Sequence, residues 1–210
     1  MTLAVALRAP LVIALAALTM APPARAAGEL KALYEITLDI DRDGKPDRIA
    51  IVGPAAKESF SANKDWAFLA PEDRADLYVY LGGGDASVDL TRKPSFLKQG
   101  IARGERQGQI FPLEARGEAV IIRTAYNLFS NWDQRALTIV HRHGDLLVAG
   151  FARSYDLRNG RQGSCEINFL TGQGLMSKGA DGKKKRVAKG RFKPVRLAEW
   201  DETKHAKACL

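Results

Sequence analysis

Most of the chain reads in steps of two. Tyr34-Glu35-Ile36-Thr37-Leu38 alternates apolar and polar residues, Arg48-Ile49-Ala50-Ile51-Val52 follows a more apolar version of the pattern, and Asp76-Leu77-Tyr78-Val79-Tyr80-Leu81 repeats it. Alternation of this kind, rich in β-branched and aromatic residues, predicts strands with a buried face. Between Glu118 and Phe129 it places Val120, Ile122, Thr124, Tyr126 and Leu128 on one side. Ser130 to Gln134 reads as a turn, Arg135 to His141 as the next strand, Arg142 to Asp145 as a turn and Leu146 to Tyr155 as a third strand. Asn159-Gly160 and Gly163 mark a turn before Ser164 to Thr171, where Cys165, Ile167 and Phe169 share a face. Short turns between alternating strands describe an antiparallel meander.

The remaining segments are less regular. Residues 53 to 74 read as a surface connection, with one helical turn around Pro71 to Arg74. Gly82-Gly83-Gly84-Asp85 predicts a hairpin turn with a return strand over Ala86 to Leu90. Lys93 to Gly108 is glycine-rich, basic and without a clear period, and Gln109 to Leu113 reads as an edge strand because proline is tolerated there. Residues 172 to 190 read as a long loop or splayed hairpin, Arg191 to Trp200 as a strand broken by Pro194, and Asp201 to Leu210 as a short helix. Helical periodicity is nearly absent and no repeat is visible. The expected fold is mainly β, an antiparallel meander with hairpins in a single domain, ending in a short C-terminal helix or tail.

The amino terminus changes the picture of where this domain works. One early cation, Arg8, an apolar run from Leu11 to Met20, and Ala24-Arg25-Ala26 have the form of a secretory leader, with cleavage expected after Ala26. The run is shorter than the ~20 residues that span a bilayer, so the alternative, a retained anchor, is disfavoured. The expectation is an exported protein, periplasmic or extracellular, with a leader at 1–26 and one β-rich domain at 27–210. Cys165 and Cys209 are the only cysteines of the chain, and in an exported protein such a pair predicts a disulfide, the alternative being two free thiols.

Charge is concentrated late. From Gly174 to Arg196 nine cations stand against Asp181, so this segment's net charge equals the +8 of the whole chain. Lys183, Lys184, Lys185, Arg186, Lys189 and Arg191 form its densest part and are the candidate anion-binding residues. Such a loop suits an anionic envelope surface or another polyanion, although a solvated charge run specifies no partner by itself. With Phe192 its only aromatic, it lacks the stacking residues of a single-strand nucleic-acid binder.

One stretch has spacing that implies a particular chemistry. Asp39-Ile40-Asp41-Arg42-Asp43-Gly44-Lys45-Pro46-Asp47 alternates carboxylates around a glycine. Calcium takes six to eight oxygens, and this spacing aims Asp39, Asp41, Asp43 and Asp47, with the carbonyl of Lys45, at one point. The place where an EF-hand carries its bidentate glutamate is Ala50, and the flanks read as strands, so an EF-hand is excluded. The stretch Leu38 to Val52 resembles the Asp-x-Asp-x-Asp-Gly-x-x-Asp loop of FG-GAP and VCBS-type β repeats. That resemblance implies calcium held between two strands, here in a single copy. The wider pattern, with Tyr155-Asp156-Leu157 and Asn168 to Gly172, resembles small exported bacterial proteins of unknown function and implies no catalytic residues. The competing reading of the loop is an acidic turn held by aspartate side chains bonding their own backbone.

Other candidates are thinner. His141 and His143, with Asp145 nearby, are too few for a zinc site, which needs three or four ligands. Glu114 with Glu118, or Asp73 with Asp76, would be acid/base pairs only if geometry joined them. Trp66, Trp132 and Trp200 are core anchors or a ligand platform. No nucleophile elbow, metalloprotease helix or phosphate loop is present in the sequence. The expected function is therefore that of a non-enzymatic binding or structural protein of the cell envelope, stabilised by calcium. The alternative is a hydrolase that acts on an envelope polymer through unidentified carboxylates.

Overall fold

The computed structural model describes residues 30–54, 66–84, 87–104, 108–128, 131–156, 162–178, 184–189 and 192–209. The expected leader lies outside them. The described strands are β1 (Leu30–Leu38), β2 (Asp47–Pro54), β3 (Ala67–Leu69), β4 (Arg74–Tyr80), β5 (Phe96–Arg103), β6 (Gly108–Ile110), β7 (Glu114–Arg116), β8 (Ala119–Leu128), β9 (Asn131–Arg142), β10 (Asp145–Asp156), β11 (Gln162–Asn168), β12 (Gln173–Lys178), β13 (Lys184–Lys189) and β14 (Val195–Arg196). A smaller sheet runs in the order β1-β2-β4-β5, and a larger one in the order β13-β12-β11-β10-β9-β8-β6-β3, with β7 added to β8 and β14 to β10. Every described pairing is antiparallel. The protein is mainly β, as the alternation predicts.

The two sheets share a core. Ile49 and Ile51 of β2 and Leu77 and Val79 of β4 join Val120 and Ile122 of β8, Leu137 and Ile139 of β9, Val148 and Phe151 of β10 and Ile167 of β11 in one continuous buried cluster. Two sheets that each bury an apolar face over a common core form the simplest layered β architecture. The β9–β10 turn shows how local sequence sets the register. Arg142 pairs with Asp145, and the two residues between, His143 (φ 55°) and Gly144 (φ 80°), are both left-handed, which matches the twist of the flanking strands.

The carboxyl-terminal segment closes one end of the core. A 3-10 turn (Leu197–Glu199) leads to α1 (Glu202–His205), whose first turn is capped by the Asp201 carboxylate accepting from the Thr203 amide at 2.9 Å. Leu197, Ala206 and Cys209 are buried, and Trp200 packs against Phe151, Phe169 and His205. Cys165 and Cys209 are joined as the predicted disulfide. Among the described residues no helix is long and apolar enough to cross a membrane.

Four expectations need correcting. The return strand after the β4 hairpin is β5, not Ala86 to Leu90. In that earlier segment the Asp89 carboxylate bonds the Thr91 amide and hydroxyl and the Val88 amide bonds Glu35, so local side-chain bonds replace a ladder. The edge strand expected around Pro112 is β6, which ends at Ile110 and lies between β8 and β3, clear of the proline. Trp132, Asp133 and Gln134 belong to β9 and not to a turn, since Asn127 pairs with Trp132 and Leu128 with Asn131. The Pro71 segment forms a turn closed by the Asp73 amide on the Ala70 carbonyl rather than helix, and the short strand β3 precedes it.

Candidate metal centre and the ion networks around it

β1 and β2 meet at the Leu38–Asp47 pair, and the residues between them form the tip of the first hairpin. The chain reverses there on Arg42 (φ 67°) and Gly44 (φ 82°). Glycine takes that conformation freely, whereas Arg42 holds it at a cost. The reversal brings one carboxylate oxygen each of Asp39, Asp41 and Asp43 within 4.8 Å of one another. Backbone amides aim them: Asp39 accepts from the Asp43 and Gly44 amides and Asp41 from the Asp43 amide, all at 3.1 Å, and Asp43 accepts from the Lys45 amide at 2.8 Å. A carboxylate has about four lone-pair sites, so these bonds orient the groups and leave acceptor capacity. The Lys45 ammonium lies 3.6 Å from Asp43. Three hard, anionic oxygens at a hairpin tip suit calcium or another hard divalent cation.

Asp47, the expected fourth side-chain ligand, lies outside the group of three and anchors the loop. It is fully buried, and its two oxygens accept from the Ile40 amide at 2.8 Å and the Gly82 amide at 2.7 Å. It anchors the loop through buried Ile40 and joins it to the start of the β4–β5 connection. Arg42 reaches across to Glu118, which also takes Arg142 at 3.1 Å. The bond from Arg42, then that from Arg142, holds the Glu118 carboxyl below its ordinary range. The hairpin tip is thereby tied to the β7–β8 turn of the larger sheet.

The other candidate residues do not converge. His141 packs edge-on to Phe96, His143 sits in the turn, and Asp145 bonds the Leu146 amide and Arg196. Glu114 is held in a fork by Arg123, Asp73 bonds the Ala70 amide, and Asp76 accepts from the Gly100 amide at 2.7 Å. Of the basic segment, Lys183 and Arg191 lie outside the described residues. Lys184, Lys185, Arg186 and Lys189 lie on β13, the last strand in the order of the larger sheet among the described residues. Trp200 is a core residue, whereas Trp132 is 36 % exposed.

Sequence reasoning missed a second ionic centre at the end of the larger sheet. Arg153 clasps Asp133 through two bonds of 3.0 and 2.9 Å, Arg135 adds a third at 3.1 Å, and Arg135 also reaches Glu202 of α1 at 2.7 Å. Arg153 donates to the Cys209 carbonyl at 2.7 Å. Arg135 lies over the Tyr126 ring and Arg153 over that of Tyr155, at 4.6 and 4.9 Å. Burial opposes the charge on Asp133, but the Arg153 and Arg135 bonds prevail and hold its carboxyl below the ordinary range. At Glu202 burial prevails and raises the carboxyl despite Arg135, because that arginine is shared with Asp133. The available signal was parity: Arg135 and Asp133 fall two and four residues from Leu137, on its inward face.

No family model, curated protein or solved structure matches the chain.

Proposed function

We propose that this is an exported, non-enzymatic binding or structural module of the cell envelope in which calcium fixes the first hairpin. The observation that carries the reading is the convergence of Asp39, Asp41 and Asp43 on a loop whose Arg42 is tied to Glu118 of the opposite sheet. Three carboxylates held this close repel one another, and a bound cation removes that repulsion while fixing the orientation of Arg42. Calcium therefore acts on how firmly the layers are joined. Glu114, Asp73 and Asp76, the candidate acid/base carboxylates, are engaged with separate partners, and neither His141 nor His143 lines the grooves described here.

The partner in this reading is an anionic surface. Besides β13, a groove of about 790 Å³ beside β4 and β5 is lined by Arg74, Lys98 and Arg103, and Asp76, its one lining carboxylate among the described residues, already accepts from Gly100. Arg74 and Arg103 are direct cross-strand partners, a like-charge arrangement that an anion relieves.

Two measurements test the proposal. Calcium at a hundredfold excess over its Kd stabilises the native state by about 2.7 kcal/mol, a rise of roughly 5–10 °C in Tm that chelator reverses and Asp41→Asn with Asp43→Asn abolishes. No shift and no calorimetric heat would remove calcium from the account. Sedimentation with anionic vesicles should fall with salt and with Arg74→Gln plus Arg103→Gln, and equal retention on zwitterionic vesicles would exclude the surface partner.

A further inference from the structure

A shallow groove of about 410 Å³ crosses the face of the larger sheet turned away from the core, at the end opposite the β9–β10 turn. Its outermost row is built by cross-strand register: Trp132 of β9 lies beside Asp156 of β10, which lies beside Gln162 of β11. The next row inward pairs Gln134 with Ser154, Ser154 with Ser164, and Ser164 with Ser177. Four strands at a spacing of ~4.8 Å make this surface about 14 Å across. Ser164 also lines an adjoining hollow of about 140 Å³, so the depression continues along the sheet. Gly163, which also lines the groove, lies between Gln162 and Ser164 and carries no side chain.

The chemistry of this lining selects its ligand. Among the described residues it combines an exposed indole with small hydroxyl residues, an amide and a single carboxylate, Asp156. Among the described residues the one charged group lining this groove is negative, and Arg123, Arg135 and Arg153 of the adjoining hollow are already engaged by Glu114 and Asp133, so a polyanion gains little here. An extended peptide needs free backbone groups at a sheet edge, and β10 and β11 are paired on both sides. An apolar ligand would leave the Asp156 and Gln162 side chains without partners. A sugar ring satisfies all of these conditions. Its C–H face lies flat on an indole, and its hydroxyls both donate to a carboxylate or amide oxygen and accept from an amide N–H. The volume falls within the range of small-molecule sites.

We propose that this groove binds a neutral oligosaccharide, with a sugar ring stacked on Trp132 and its hydroxyl edge held by Asp156 and Gln162. The proposal rests on the reading of the chain as a binding module and names what one of its faces binds.

The test is calorimetric and fluorescence titration of the intact domain with three neutral tetrasaccharides: β-1,4-linked N-acetylglucosamine, cellotetraose and maltotetraose. At least one should bind saturably. Trp132→Ala should weaken it more than 10-fold, Trp132→Tyr less than 3-fold, and Asp156→Ala 3-fold or more, with melting curves unchanged because Trp132 is exposed. Absence of saturable binding to all three, or full affinity in Trp132→Ala, overturns the proposal. So does displacement of the sugar by dextran sulfate that Trp132→Ala prevents, since the groove would then take a polyanion. Anionic-vesicle retention of Trp132→Ala separates the two proposals: it should match the unmodified protein whether or not the sugars bind.

Discussion

Two half-buried carboxylates with the same kind of partner have opposite consequences for stability. Asp133 is ionised and fully engaged, so Asp133→Asn leaves Arg135 and Arg153 without their shared anion and should cost about 3 kcal/mol at neutral pH. Glu202 is the reverse, because desolvation exceeds what Arg135 returns. Its folded pKa lies above the unfolded value, so its contribution is present in acid and is lost as pH rises through the folded pKa. Asp133 is depressed, so its contribution is present above the ordinary aspartate value and is lost as pH falls through the folded pKa. Denaturant titrations from pH 3 to 7 should show Glu202→Gln removing a decline in stability above pH ~4.5 while leaving the acid-side loss intact. Asp47 provides a third case: Asp47→Ala leaves the Ile40 amide unbonded in the interior and frees the Gly82 amide nearer the surface, and should cost about 2 kcal/mol with calcium or with chelator, readable from the denaturant midpoint. The sequence contained the spacing of Asp39, Asp41, Asp43 and Asp47 but not this division of labour. Alternation along a loop shows which carboxylates are near, and only the fold shows that Gly82 arrives beside one of them.

At the scale of elements, strands with clean alternation were legible and those set by long-range pairing were not. β8 through β11 follow from side-chain period and turn residues, both local. β5 lacks a period because it bulges at Gly100 (φ 61°), where the amide bonds Asp76 and the register against β4 shifts. Nothing within 3.4 Å would obstruct a side chain there, so Gly100→Ala should cost only the left-handed backbone penalty, about 1 kcal/mol in thermal or denaturant unfolding. β3 and β6 are three-residue strands that pair with each other across more than thirty residues of chain, and short strands of this kind leave no signature of their own. β12 and β13 were obscured by composition. A strand of sequence Lys-Lys-Arg-Val-Ala-Lys reads as loop because it has no alternating apolar set.

Across the whole molecule, the layers are joined by a few specific ties in addition to their common core. Arg42 meets Glu118 at one end, and the Lys98 ammonium of β5 donates to the Ala198 and Trp200 carbonyls at 3.2 and 2.8 Å. The disulfide fixes the closing segment to β11. Its loop spans 44 residues of sequence, so removing it with Cys165→Ser plus Cys209→Ser should cost about 4 kcal/mol of chain-entropy stabilisation, measurable as a lower denaturant midpoint. The presence of this bond was legible from the number of cysteines. The Asp133 clasp beneath it was not, because four charged residues from three separate segments have no joint pattern in the chain.

The pairing of β14 with β10, at Val195 with Val148 and Arg196 with Leu147, sets an order of assembly. β8 to β12 are successive hairpins whose partners are neighbours in sequence, so they close small loops and form early. β14 returns to the middle of that meander only after β11, β12 and β13 have been laid down, at a larger loop-closure cost. In refolding, far-UV dichroism should therefore recover before the near-UV signal of Trp200, whose ring is seated only when this late strand docks. A reduced chain should stall between the two, with its meander formed and one end of the core open to water.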